Sequence, residues 1–239
     1  MNVLRSKKDP HLSRKIFHAF SGTVCVVLFA YILDRKSCML LLAIMMGFFF
    51  PLDYFRLQFS KLNQVFLKYF GGLMRNSEKT RLSGQFYYML GLAWAAFILP
   101  KTIAIQSVLI LAWADPTAGF CGRKYGANKW DTVIKKLFSI ETKSTALKEK
   151  SLEGSLGGFI AAYLAGIIAW LGPWAQVENS QGVLFQPNAF QVLFFALVGA
   201  LAATFAELSS SDWDDNVTIP FWSGLLVWAV CLLLGIPLI

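Results

Sequence analysis

Charged residues are scarce in this chain. They make up 15% of its 239 residues, whereas 56% are hydrophobic and the mean hydropathy is +0.54. A soluble domain of this length carries about 25% charged residues, so the composition indicates an integral membrane protein. Cysteine is scarce too: four residues, mostly inside apolar runs and without CxxC spacing, predict neither a disulfide framework nor a zinc site.

Several common catalytic motifs are missing. The sequence has no GxxxxGK(S/T) phosphate loop, no HExxH, no GxSxG and no dinucleotide-binding fingerprint. These absences argue against a soluble-type NTPase, a zincin and a serine hydrolase. Any phosphoryl chemistry would have to use helix ends, a metal ion and basic side chains.

Basic residues are absent from the last third of the chain. All 22 lysines and arginines lie at or before Lys150, and residues 151–239 contain none, although the net charge is +8. A basic protein can bind nucleic acid, but this distribution fits membrane topology better. We therefore expect membrane lipids as partners and no nucleic acid.

Apolar runs of about 20 residues predict an all-α, polytopic membrane protein. We expect a single integral membrane domain, residues 1–239, with about seven transmembrane helices. The predicted spans are 17–33, 38–55, 83–100, 102–121, 155–174, 189–208 and 217–239. With the amino terminus inside, 19 of the 22 basic residues fall in inner segments, which predicts an N-in/C-out orientation.

One amphipathic stretch is not a span. In residues 56–75, apolar residues recur at helical spacing, while Arg56, Lys61, Lys68 and Arg75 take the other side. This pattern predicts an interfacial helix on the cytoplasmic side of the membrane. The alternative is an ordinary connector packed on the helix bundle.

Three predicted spans carry a carboxylate beside small residues at their cytoplasmic ends: Asp115, Glu153 and Glu207. Small residues let helices pack closely, which would bring the three acids to one depth. Close carboxylates repel one another unless a cation lies between them, and oxygen ligands favour Mg²⁺. We predict Asp115, Glu207 and Asp215 as Mg²⁺ ligands. The alternative is helix packing with acids that reach into water.

A nucleotide-binding face is predicted next to Asp115. Gly119, Gly122 and Gly126 lie on the same helical face as this carboxylate, and they place no side chain between a ligand and the backbone. The catalytic elements would thus cluster in residues 114–154 and 206–220 on the cytoplasmic face.

Basic residues beside the carboxylates could bind phosphate. Arg123 and Lys124 follow the glycine face, and Lys150 and Ser151 stand at the start of a span, where free N–H groups and the helix dipole favour an anion. Gly154 lies in the same short string, and we predict that Ser151 and Gly154 also contact the nucleotide or its phosphates. The candidate catalytic residues are Asp115, Arg123, Lys150 and Glu153.

Two further polar pairs lie at the same predicted level. Arg14, which we predict to bind nucleotide or phosphate, and His18 are four residues apart and share a helical face. For His18 a site role and a structural role are about equally expected. Asn216, which follows Asp215, could contact a nucleotide or could cap the last helix.

At these residues the chain resembles the CTP-dependent lipid-alcohol kinases: dolichol (polyprenol) kinase, phytol kinase and CTP-dependent diacylglycerol kinase. The matching motifs are RKxxH at 14–18, SGxxYY at 83–88, ADPxAxxxGRxxG at 114–126, KSxEG at 150–154, and AE, DN and P within 206–220. Two of them also look like segments of CDP-diacylglycerol synthase, but the carboxyl-terminal HGGxxDRxD string of that synthase is absent. The resemblance alone implies CTP as phosphoryl donor.

Three functions stay open from the sequence. The first is a Mg²⁺-dependent kinase that transfers the γ-phosphate of CTP to a lipid alcohol. The second is a phosphatidate cytidylyltransferase, and the third is a non-catalytic lipid transporter or scaffold. The alcohol, the oligomeric state and the compartment (the cytoplasmic membrane of a prokaryote or the endoplasmic reticulum of a eukaryote) are open as well.

Overall fold

The computed structural model of the protein describes residues 10–74, 76–141, 144–175, 177–178, 184–209 and 213–236. Within these ranges the chain is helical apart from loops and one pair of two-residue strands. The α-helices are α1 (Pro10–Val27), α2 (Arg35–Gln58), α3 (Ser60–Phe70), α4 (Gly84–Ile98), α5 (Lys101–Tyr125), α6 (Trp130–Phe138), α7 (Thr145–Glu149), α8 (Leu152–Leu171), α9 (Ala189–Ser209) and α10 (Asp215–Leu233).

Shorter elements join these helices. A π-helical turn (Leu28–Ile32) continues α1, and three 3₁₀ turns occupy Gly71–Leu73, Asn76–Lys79 and Pro173–Ala175. Strands β1 (Val177–Glu178) and β2 (Leu184–Phe185) pair antiparallel between α8 and α9. Arg75 of the predicted interfacial helix and residues 237–239 of the last predicted span lie outside the described residues.

Six of the described helices are long and apolar enough to cross a membrane: α1 with its π turn, α2, α5, α8, α9 and α10. This supports a polytopic membrane protein. The predicted span 83–100 corresponds to α4, which has 15 residues and is therefore roughly 22 Å long, less than the usual hydrocarbon thickness of about 30 Å. The count of seven spans and the orientation stay predictions.

Although α4 is short, it joins the same two ends of the bundle as its neighbours. The carbonyl of Gly84, its first residue, accepts a hydrogen bond from Asn216 Nδ2 of α10 at 3.2 Å. The carbonyl of Leu99, which follows its last residue, accepts one from Arg35 at the start of α2 at 2.6 Å. We call the end at which α1, α4, α8 and α10 begin the site end.

Helix α5 forms the centre of the bundle. It packs against α1, α4, α8, α9 and α10, and 72% of its most apolar 18-residue stretch is buried inside the protein. Small residues allow this packing: a Cβ on Gly158 of α8 would lie 2.9 Å from the Cβ of Ala118, and one on Gly166 would lie 2.8 Å from the Cα of Ala196 in α9. The small-residue stripes therefore serve close helix contacts, as is usual in membrane proteins.

The amphipathic stretch contains a separate helix, α3. It begins at Ser60, and its apolar side chains are largely uncovered, with Val65 55% and Tyr69 72% exposed. Such a face suits either the membrane interface or a partner, so both interpretations of α3 remain.

The sequence pattern predicted that Arg56 lies on the polar side of that helix, but the structure places it elsewhere. It belongs to the last turns of α2 and is fully buried. Its guanidinium lies 2.6 Å from Asp53 Oδ1 and also donates to Asn63 Oδ1 and to the carbonyls of Glu78 and Arg81. These acceptors compensate for the buried charge, and they fix the loop that leads into α4.

Candidate active site

Lys150 joins two carboxylates at the site end. It stands immediately before α8, and its Nζ lies 3.3 Å from Asp215 Oδ2 at the start of α10. The same atom lies 3.9 Å from Glu207 Oε1 near the end of α9 and donates to the Glu207 carbonyl oxygen. All three side chains are about four-fifths buried. One partner of Glu207 is thus a basic side chain from the first two-thirds of the chain.

Lys15 is a site residue that sequence analysis did not single out. Its Nζ donates to the carbonyl oxygen of Pro116 at 3.0 Å and lies directly over Gly119. Asp115 and Arg123 both act on it electrostatically. The spacing of Arg14 and His18 directed attention to one face of α1, whereas Lys15 points from the neighbouring face towards α5. The only sequence feature that could have indicated Lys15 is its position between Arg14 and His18, at the edge of an apolar span.

The rest of the glycine face of α5 is covered by the start of α8. A Cβ on Gly126 would lie 2.6 Å from Ser151 Oγ, and one on Gly154 would lie 3.0 Å from the carbonyl oxygen of Ala118 and 3.1 Å from the Cα of Gly122. The start of α8 thus lies against Gly122 and Gly126, and the nucleotide contacts predicted for Gly122, Gly126 and Gly154 stay a prediction. Small residues that leave room for a ligand also leave room for the close packing of a neighbouring helix, here α8.

Ser151 and Glu153 also have structural partners. Ser151 is buried, and its Oγ caps α8 by accepting a hydrogen bond from Gly154 N at 3.2 Å. The Glu153 carboxylate accepts from the Asn128 side chain at 2.6 Å and from its backbone N–H at 3.2 Å. Glu153 thus fixes the loop after α5, a contact that no sequence pattern predicted. Its predicted catalytic role stays a prediction.

Arg123 and Lys124 occupy the exposed end of α5. The Lys124 ammonium lies 5.1 Å from the ring centroid of Tyr125 and 5.5 Å from that of Phe120. Arg123 adds positive charge close enough to act on Lys15. Their predicted phosphate contacts are untested.

Arg14 and Asn216 meet at the start of α4. Arg14 Nη1 lies 3.6 Å from Glu78 Oε1, and its other terminal nitrogen lies beside Gly84. Asn216 is buried and donates to the Gly84 carbonyl. It does not cap α10, because Asp214 does: Asp214 Oδ1 accepts from Asn216 N at 3.0 Å. His18 lies one helical turn after Arg14, buried against the Tyr88 ring with 4.2 Å between ring centroids.

The predicted metal ligands lie near one another without forming a metal cage. Asp115 and Asp215 both act electrostatically on Glu207. Among the described residues, however, no three His, Cys, Asp or Glu side chains are placed to hold a metal ion. The Lys150 ammonium contacts both Glu207 and Asp215, where a bridging cation was expected. The metal site stays a prediction.

Comparison with known proteins finds relatives along almost the whole chain. The chain is 27% identical over 229 residues to CTP-dependent diacylglycerol kinase 1 of Saccharomyces cerevisiae, which is 92% of this chain and 73% of the relative. It is 29% identical over 227 residues to CTP-dependent diacylglycerol kinase 1 of Schizosaccharomyces pombe, with 93% and 94% covered. The predicted resemblance to the CTP-dependent lipid kinases is confirmed.

A third relative of the CTP-dependent lipid kinase group is phytol kinase of Synechocystis sp. It is 28% identical over 153 residues, which is 61% of this chain and 54% of that protein. No family model and no solved structure matches the chain. The sequence motifs on which the resemblance was stated come from segments far apart in the chain, and the contacts of Lys15 with Pro116 and of Lys150 with Glu207 and Asp215 bring them together.

Proposed function

We propose that the chain is a membrane-embedded kinase that transfers the γ-phosphate of CTP to the hydroxyl of a lipid alcohol. One observation carries the proposal: Lys150, just before α8, contacts the carboxylates of Glu207 and Asp215 at the site end, where Lys15 of α1 also binds the backbone of α5 beside Asp115. Such a mixture suits a substrate that is itself a metal–phosphate complex. Diacylglycerol is the first candidate acceptor, since the relatives that cover more than 90% of this chain bear its name.

The reaction requires charge neutralisation more than covalent help from the protein. The alcohol oxygen forms a bond to the γ-phosphorus, the bond from that phosphorus to the β-bridging oxygen breaks, and CDP leaves with the electron pair. Phosphoryl transfer of this kind depends on positioning and electrostatic stabilisation. Lys15 and Lys150 are the proposed phosphate ligands, with Arg123 at the exposed edge of the site.

The carboxylates fit a metal ion that arrives on the nucleotide better than one held by the protein alone. Mg²⁺ commonly uses one or two carboxylates together with phosphate oxygens and keeps several waters. Asp115 and Asp215 would supply the carboxylate oxygens, while Lys150 neutralises Glu207. When bound, the ion would offset negative charge on the transferred phosphoryl group.

The proposal includes a topology. If α4 crosses the membrane with the six longer helices, the chain has seven spans, and the positive-inside distribution directs the site end to the cytoplasm. The π-helical turn that ends α1 and the Leu99–Pro100 connection would then face the opposite side. Nucleotide is available on the cytoplasmic face, which is consistent with a CTP-dependent reaction there.

Labelled CTP distinguishes the three functions left open by the sequence. Purified protein should transfer label from γ-labelled CTP, and none from α-labelled CTP, to dioleoylglycerol, a polyprenol or phytol. Transfer of the α-label to a lipid phosphate, with labelled pyrophosphate from the γ-position, would indicate a cytidylyltransferase instead. No transfer in either assay would favour a transporter or scaffold.

Gly119→Ala should test the place of Lys15. The new Cβ would overlap the Lys15 ammonium, which is the far end of a flexible side chain, so the lysine moves while the helix remains. We expect the apparent KM for CTP to rise several-fold with little change in the melting temperature. Gly47→Ala is the matched control, because a Cβ on Gly47 of α2 meets nothing within 4 Å. An unchanged KM in Gly119→Ala would contradict a phosphate role for Lys15.

A further inference from the structure

A cavity of about 250 Å³ lies at the site end between α1, α2, α3 and α4. Most of its wall is apolar and includes Phe49, Phe66 and Met89. Its polar groups include Arg14 and His18 of α1. A mainly apolar cavity with a few convergent polar groups is typical of a small-molecule site.

His18 is one of the residues that line this cavity. The side chain is only 8% exposed, and its Nε2 has no hydrogen-bond partner among the described residues. In a neutral imidazole one ring nitrogen is a donor and the other an acceptor. A buried ring nitrogen without a partner is costly unless a ligand group reaches it.

A second cavity of about 300 Å³ adjoins the first. The two share Phe17 and Met45, and the second lies between α1, α2, α4 and α5 with an almost wholly apolar wall. Two of its lining residues, Phe20 and Leu41, are 67% and 40% exposed on the outer surface of α1 and α2. The second cavity therefore reaches the surface where lipid would contact these helices.

We propose that the two cavities together bind the acceptor lipid, with its hydroxyl donating to His18 Nε2 and its hydrocarbon chain in the second cavity. This inference rests on the proposed kinase function. The chemistry of the first cavity favours a neutral alcohol over a phosphate headgroup: Glu78 also lines this cavity, and the Arg14 guanidinium is already 3.6 Å from that carboxylate.

The position of His18 connects the lipid to the phosphate ligands. Asp115 acts electrostatically on both His18 and Lys15, which project from neighbouring faces of α1. A hydroxyl at Nε2 would lie on the cavity side of α1, three residues along the helix from the proposed phosphate ligand Lys15. As the oxygen bonds to the γ-phosphorus, its proton passes to Nε2 and later to water.

Photolabelling without nucleotide tests the lipid site directly. The probe is a diacylglycerol with a diazirine in one acyl chain, incubated with the full chain in nanodiscs and mapped by mass spectrometry. We expect label on α1 and α2, reduced at least fivefold by Leu41→Trp, which fills the second cavity. Leu40→Trp is the matched control, because Leu40 is the neighbouring leucine, 63% exposed and outside both cavity walls. Equal labelling of the two variants, or label mainly on α8–α10, would overturn the site.

Kinetics of His18 variants test the hydroxyl contact. His18→Ala and His18→Gln should lower kcat at least 100-fold and leave the KM for CTP within about twofold. Since glutamine keeps an acceptor oxygen, His18→Gln should retain photolabelling within about twofold. Normal kcat in His18→Gln would overturn the role of Nε2. If the wild-type protein labels as expected but phosphorylates no alcohol, the kinase proposal fails and the lipid site stands. If it phosphorylates while Leu41→Trp has no effect on labelling, the lipid site alone fails.

Discussion

Lys150→Ala should raise the apparent KM for CTP by roughly ten- to a hundredfold. The estimate follows from the loss of a charge-assisted contact to phosphate, about 1.5–3 kcal/mol, with about 1.4 kcal/mol for each factor of ten. The variant also leaves Glu207 and Asp215 without the ammonium that contacts both, so their repulsion adds to the loss of nucleotide affinity. Initial rates over a range of CTP concentrations, at a saturating concentration of lipid, measure the change.

Lys148→Ala is the control for this experiment. Lys148 lies two residues earlier in α7 and is exposed, so its removal changes the net charge equally without touching the two carboxylates. We expect its KM for CTP to match that of the wild type. A change in the KM for lipid alone in Lys150→Ala would show that Lys150 does not bind phosphate.

Asp115→Asn should reduce kcat by at least about 100-fold while the protein still inserts and folds. The substitution keeps the size of the side chain but removes the negative charge that acts on Lys15, His18 and Glu207. Without that charge, the Lys15 ammonium loses a favourable interaction and the proposed metal-bound nucleotide loses a carboxylate ligand. The loss of one such electrostatic group commonly costs 10²–10³ in kcat. Single-turnover transfer from γ-labelled CTP reports the step directly.

Asp34→Asn provides the matched control at the opposite end of the bundle. Asp34 caps α2 by accepting a hydrogen bond from Ser37 N, and asparagine caps a helix equally well. This variant should therefore keep both activity and melting temperature. Wild-type turnover in Asp115→Asn, with the control also normal, would remove Asp115 from the active site.

The grouping of polar motifs at one end of the bundle was predictable from sequence, because helices that alternate in direction bring every second loop to the same end. Lys150, Glu207 and Asp215 come from three different helix ends, and they meet in the structure. Sequence pattern could not say which cation would stand between the acids. An ammonium on a flexible side chain and a metal ion satisfy the same electrostatic demand.

Other features of the site could not be predicted because one pattern serves two purposes. The stripe of Gly122 and Gly126 fits a nucleotide or a helix equally, and only the position of α8 shows that a helix covers it. The helical periodicity of residues 56–75 put Arg56 on the polar face, because periodicity shows which face a residue occupies but not what it contacts. In the structure, Asp53 and backbone carbonyls stabilise its guanidinium in the protein interior. The hydropathy profile predicted the position of α4 in the chain but not its length. The helix begins at Gly84 and ends at Ile98, which makes 15 residues.

The burial of α5 has a consequence for how the protein is made. Among the six long helices, α5 has the lowest mean hydropathy, 1.3, although it lies deepest in the bundle. Its surface contacts other helices more than lipid. Among the six long helices, its transfer from water into lipid alone is therefore the least favourable. Its closest neighbour, α8, is synthesised after it, and the contacts of α5 with α8 are the most extensive between any two helices described. We expect α5 to be held only weakly in the bilayer until the second half of the chain has joined it.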